Sequence, residues 1–154
     1  MKFTKHRFSK RSPEVECAVF VVHEPAPGPF VEYDPTQGIP PFLRYRGTAA
    51  AIILPDGRFW VGVTLCSPSD QFVKAKGRAK AIGRAWQATS RGSIHTDPGR
   101  YTGAQWVFRS HQHGTVELND GFDGIKHTSD VLKTKLNFEI AEMKRQLQAV
   151  GRLA

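Results

Sequence analysis

Two apolar runs, Thr48-Ala49-Ala50-Ala51-Ile52-Ile53-Leu54 and Arg58-Phe59-Trp60-Val61-Gly62-Val63-Thr64-Leu65, flank the tripeptide Pro55-Asp56-Gly57. Aspartate and glycine tolerate the positive φ of a tight reversal, and both flanking runs are β-prone. The segment therefore predicts an antiparallel hairpin, which commits the chain to a sheet. In the second run Phe59, Val61 and Val63 alternate with Trp60, Gly62 and Thr64. The first set is expected in the core, the second on a flatter, partly polar face. On that face Trp60 is either a platform on which a base could stack or a core side chain under a helix.

The rest of the chain is read outward from this hairpin. Val15 to Val22 is short and rich in β-branched residues and predicts a largely buried strand. The stretch from Pro25 to Pro41 holds six prolines, which deny a ladder its donors, and predicts a long loop or irregular lid. Ser67-Pro68-Ser69-Asp70 has the form of a helix start, with Ser67 as N-cap, Pro68 at the first helical position and Asp70 completing a capping box. The helix is expected to run to about Thr89 and to press Phe72, Ala75, Ala79, Ile82, Gly83 and Trp86 against the sheet. A strand is expected at 105–109, with His111 to Gly114 turning it into a return strand at 115–118. From Thr128 a long C-terminal helix carries Leu132, Leu136, Ile140, Met143, Leu147 and Val150 on one stripe. That stripe approaches coiled-coil spacing, so a homodimer seam is a second use for it.

The 154 residues, 40% of them hydrophobic, suit one compact domain with a real core. The expected architecture is a single α+β domain at 14–154. It comprises a mostly antiparallel sheet of four to five strands, one basic helix and the long C-terminal helix, preceded by a basic flexible arm at 1–13. No apolar run approaches the length of a membrane span, and the N-terminal residues lack the apolar core of a secretory signal. The protein is expected in the cytoplasm. There Cys17 and Cys66, each in an apolar run and neither in a CxxC pair, would stay reduced and structural.

Charge narrows the class of partner. Lys and Arg number 22 against 14 Asp and Glu, a formal net charge of +8, which favours a polyanion. Lys74, Lys76, Arg78, Lys80, Arg84 and nearby Arg91 follow one another without an acid from Gln71 to Gly92. Like charges at helical spacing repel, and phosphates would relieve them while releasing counterions. A solvated helix face is the plain alternative. Because the run stands near the basic arm and the hairpin's Arg58 and Trp60, these eight residues together are the candidate nucleic-acid interface. Metal chemistry is a weaker candidate: His111 and His113 could share one face of a strand, with Glu117 or Asp120 adding an oxygen donor. No P-loop, nucleophile elbow or GxGxxG is present, and no cofactor is expected.

The junction Cys66-Ser67-Pro68-Ser69-Asp70-Gln71-Phe72, followed by Lys74, Gly77-Arg78 and Arg84, resembles small basic proteins of phages and mobile elements with a C-x-P-x-D-x-F strand-to-helix junction. The likeness covers about a fifth of the chain, implies such an origin, and brings no activity with it. The expected function is non-enzymatic binding of DNA or RNA in a bacterial or phage-infected cell. The alternatives are a phage-type factor docking on a host nucleic-acid enzyme and a metal-dependent nuclease using His111 and His113.

Overall fold

The computed structural model describes residues 2–25, 45–67, 70–91, 95–96, 104–115 and 124–149, with side chains outside 91–128. The Pro25 to Pro41 loop lies, apart from Pro25, outside these residues. Among the described residues six strands, β1 (Thr4–His6), β2 (Val15–His23), β3 (Arg46–Ile53), β4 (Arg58–Cys66), β5 (His95–Thr96) and β6 (Ala104–Thr115), pair antiparallel in the order β1-β2-β3-β4-β6-β5. The helices α1 (Lys74–Arg91) and α2 (Gly124–Ala149) cover opposite faces. The α+β class and the largely antiparallel sheet are as the sequence predicts, with four long strands flanked by short β1 and β5.

The hairpin forms where expected. Ile53 pairs with Phe59, the Leu54 N–H donates to the Arg58 carbonyl at 2.9 Å, and the Gly57 N–H donates to the Leu54 carbonyl at 2.9 Å. Gly57 has φ 90°, the left-handed conformation that ends a three-residue hairpin loop. Asp56 secures the reversal by accepting from the Arg58 N–H at 3.0 Å.

One face of the sheet carries Ala49, Ala51, Ile53, Phe59, Val61, Val63 and Leu65, packed against Leu132, Leu136, Ile140, Met143 and Leu147 of α2. The predicted α2 stripe is fully buried there, apart from Val150, which lies outside the described residues. Burial of each such side chain contributes about 1.5–3 kcal/mol. A homodimer seam built from this stripe is therefore corrected: the stripe already faces the chain's own sheet. Its outer side leaves Phe138 as the one large hydrophobic exposed among the described residues.

The opposite face is organised by small residues. A Cβ on Gly62 of β4 would lie 2.1 Å from the Ala81 carbonyl oxygen and 2.3 Å from the Ala85 nitrogen, so the α1 backbone rests directly on the strand. The sheet-facing residues of α1 are Gly77, Ala81, Ala85 and Ala88. Of the predicted stripe, Ala75, Ala79 and Gly83 are exposed, and Phe72, Ile82 and Trp86 are half-buried. The expectation followed bulk, whereas the close approach at Gly62 admits only side chains of methyl size. Trp86 instead stacks on Phe8, with ring centroids 5.0 Å apart.

Three further expectations are corrected. The basic N-terminal segment is not a free arm: Thr4 to His6 pair with Val15 to Cys17, and Phe3 and Phe8 pack on the two sides of the core. Ser67 does not start the helix. Its carbonyl accepts from the Asp70 N–H at 3.0 Å, residues 71–73 are not helical, and α1 begins only at Lys74. Residues His111 to Gly114 do not turn, because β4 offers 104–111 a continuous ladder and the strand extends to Thr115 past an irregularity opposite Arg58 and Phe59.

Candidate nucleic-acid interface

The C-terminal ends of β2 and β4, the N-terminal end of β3 and the start of α1 meet at one end of the sheet. Lys74, Lys76, Arg78 and Lys80, all exposed, occupy the opening turns of α1 at this place. Among the described residues Lys74, Lys76 and Arg78 make no ion pair. The first turn holds no acid, and cations there oppose the positive end of the helix dipole. Arg78 shares a groove with Lys2 and Thr4 on the β1 edge, so the N-terminal segment does extend the basic surface, as a strand.

The other predicted residues separate from this cluster. Arg84 is half-buried and donates from Nη1 to Gln87 at 2.6 Å, while Arg91 ends α1 with its side chain outside the described residues. Arg58 sits beyond the far end of α1, ion-paired to Asp56 at 2.8 Å. Trp60 is corrected outright as a stacking platform. Only 7% exposed, it packs against Ala88, about 20 Å along the helix from Lys74 by the helical rise. Arg58 lies over its ring at 5.9 Å, and among the described residues the indole Nε1 has no hydrogen-bond partner.

Residues that the sequence does not single out complete the end of the sheet. Arg46 lies over the Phe72 ring at 3.9 Å and donates from Nη2 to the Glu24 carbonyl at 3.1 Å. His23 meets the edge of Phe72, and its Nδ1 hydrogen-bonds the Thr48 hydroxyl at 2.9 Å. Burial, with Lys74, Arg78 and Arg46 nearby, holds its pKa below the ordinary histidine value. These groups arrive from β2, β3 and the residues at 70–73 just before α1, so no spacing in the sequence announces them. The nearest signal is the Cys66 to Phe72 junction, which points to the place without naming its partners. Glu24 ties the end together, accepting from the Gly47 N–H at 2.8 Å and from Lys144 of α2 at 2.6 Å.

Between β3, β4 and α1 this assembly encloses a cleft of about 250 Å³. Thr64 lines it and is 4% exposed; among the described residues its hydroxyl has no hydrogen-bond partner. Cys66, a free thiol, faces the carbonyls of Ser67, Asp70 and Gln71 at 3.6, 3.9 and 3.8 Å. Burial and then Asp70 push its pKa up, against Lys80 and Arg46, so it stays a neutral thiol. Cys17, also free, is buried under α1.

The His111 and His113 side chains lie outside the described residues, among which no group of three His, Cys, Asp or Glu could hold a metal. No described helix is long and apolar enough to cross a membrane. No protein-family model, curated protein or solved structure matches the chain.

Proposed function

We propose that the protein is a non-enzymatic nucleic-acid binder that meets the phosphate backbone with the opening turns of α1. The observation that carries this reading is the group Lys74, Lys76 and Arg78. All three are exposed, none is ion-paired among the described residues, and their helix contains six cations and no acid. Phosphates placed there would neutralise the repulsion along the helix and satisfy the helix dipole, and each contact would release counterions. Lys2, in the groove with Arg78, extends the contact toward the β1 edge.

The test is the triple variant Lys74→Gln, Lys76→Gln, Arg78→Gln, titrated against labelled single- and double-stranded DNA and RNA across a salt series. The slope of log affinity against log salt is expected to become shallower by about 2–3, from about 0.7–0.9 per lost phosphate contact. The fold should persist, because none of the three side chains is buried. Removing Lys133 and Lys135 from the exposed side of α2 controls for charge at a distance and is expected to change the slope less. A folded triple variant that keeps both affinity and slope would remove this reading.

A further inference from the structure

A helix face lying along a polymer leaves the cleft beside it without a use. We propose that this cleft is a seat for one phosphate group carried as a monoester, the chemistry of a phosphorylated nucleic-acid end or of a free mononucleotide. The polymer-end version rests on the nucleic-acid reading above; the seat itself does not.

Thr64 carries the argument. Its hydroxyl lines the cleft from a side chain only 4% exposed and has no hydrogen-bond partner among the described residues. A hydroxyl of a largely buried residue that opens on a cleft of about 250 Å³, beside the buried and unpartnered Arg46 Nε, marks a place where a ligand or water completes the bonding. The charges around it select an anion. Arg46 is pre-oriented by the Phe72 ring and the Glu24 carbonyl, while its Nε, also buried, has no partner among the described residues. Lys76 and Lys80 line the same cleft, against the single carboxylate of Asp70. The helix opens here as well: the first bond of α1 runs from the Gly77 N–H to the Val73 carbonyl, and the N–H groups before it lie outside the helix's own ladder.

A monoester fits these donors better than an interior diester. At neutral pH it carries about −1.5 to −2 charge and three terminal oxygens, able to meet a guanidinium, an ammonium and a hydroxyl together. An interior diester offers one charge and two free oxygens, and its chain must enter and leave the cleft. Cys66 is a neutral neighbour here, its thiol turned to backbone carbonyls.

The experiment compares one oligonucleotide bearing a 5′-phosphate, a 3′-phosphate or hydroxyl ends, together with inorganic phosphate and a nucleoside monophosphate. Each is titrated into the intact protein and into Thr64→Val, with backbone amide NMR as the second readout. Thr64→Val removes only an unpartnered hydroxyl and is expected to leave melting temperature and binding of the hydroxyl-ended oligonucleotide unchanged. A phosphorylated end is expected to bind about tenfold more tightly, a preference that Thr64→Val removes. Perturbation of the Thr64 and Gly77 amides by phosphate or the monophosphate, abolished in Thr64→Val, supports the seat with a free phosphate as occupant. Oligonucleotides that bind with strong salt dependence but no end preference, with phosphate and monophosphate silent, overturn the seat and leave the nucleic-acid reading standing. Phosphate binding without oligonucleotide binding does the reverse.

Discussion

The two helices cover the same sheet from opposite sides and do so by different means. α2 fills its interface with Leu132, Leu136, Ile140, Met143 and Leu147, and its charges are mixed, with Asp130, Glu139 and Glu142 among the lysines. α1 meets the sheet through Gly77, Ala81, Ala85 and Ala88 and carries six cations without an acid. Side-chain volume holds α2 in place; close backbone contact holds α1. A helix seated on methyl groups gains less from burial per turn, so its composition is set less by the core than by what lies outside it. The cationic side chains at its N-terminal end are the visible result.

The difference is tested hardest at Trp60, a large aromatic of the sheet that is buried against Ala88 of α1. Trp60→Ala is expected to cost about 3–5 kcal/mol of folding stability in denaturant titration, the range for emptying a large aromatic site. Affinity for single-stranded nucleic acid should be unchanged once the variant is folded. Loss of affinity without loss of stability would return Trp60 to the interface and would mean that α1 does not cover it.

What the sequence made legible follows the same division. The α2 stripe, the β2 run and the Asp56-Gly57 reversal announce themselves because large or conformationally special residues recur at the period of the element they build. The α1 seat does not, since alanines and glycines produce no bulk periodicity, and the larger Ile82 and Trp86 drew the expected face away from the true one. Strand β1 pairs only three residues, Thr4 to His6, too few for a pattern. At the candidate site the exposed lysines could be read as charge. Arg46, His23 and Thr64 come together only through the pairing of β2, β3 and β4.

A smaller effect probes the contact itself. Gly62→Ala adds a single methyl group, yet that carbon would fall 2.1 Å from the Ala81 oxygen and 2.7 Å from the Arg84 Cβ. Backbone cannot swing aside as a flexible side chain can, so α1 must lift from β4. Overpacking of this kind costs about 1–3 kcal/mol. Hydrogen exchange should show the α1 amides opening more readily, with α2 protected as before. If α2 loosens equally, the two helices are not independent supports of the sheet and the comparison between them fails.

The smallest effect has the opposite sign and lies on the outer side of the same helix. A Cβ on Gly83 would meet nothing within 4 Å, and Gly83 is exposed in a shallow groove between Lys80, Arg84 and Gln87. Its φ is not positive, so alanine adopts the same backbone without strain. Gly83→Ala should therefore stabilise the protein by about 0.5–1 kcal/mol through helix propensity alone, read as a raised denaturation midpoint at unchanged slope. Glycine on an exposed helix face also permits a backbone or phosphate to approach more closely than a methyl group would allow. If the nucleic acid runs the length of α1, the stabilised variant should bind less tightly; if it engages only Lys74, Lys76 and Arg78, affinity should hold. A variant that is both more stable and equally tight would confine the interface to the opening turns of α1, whereas a destabilised one would mean that the outer face of the helix is itself covered.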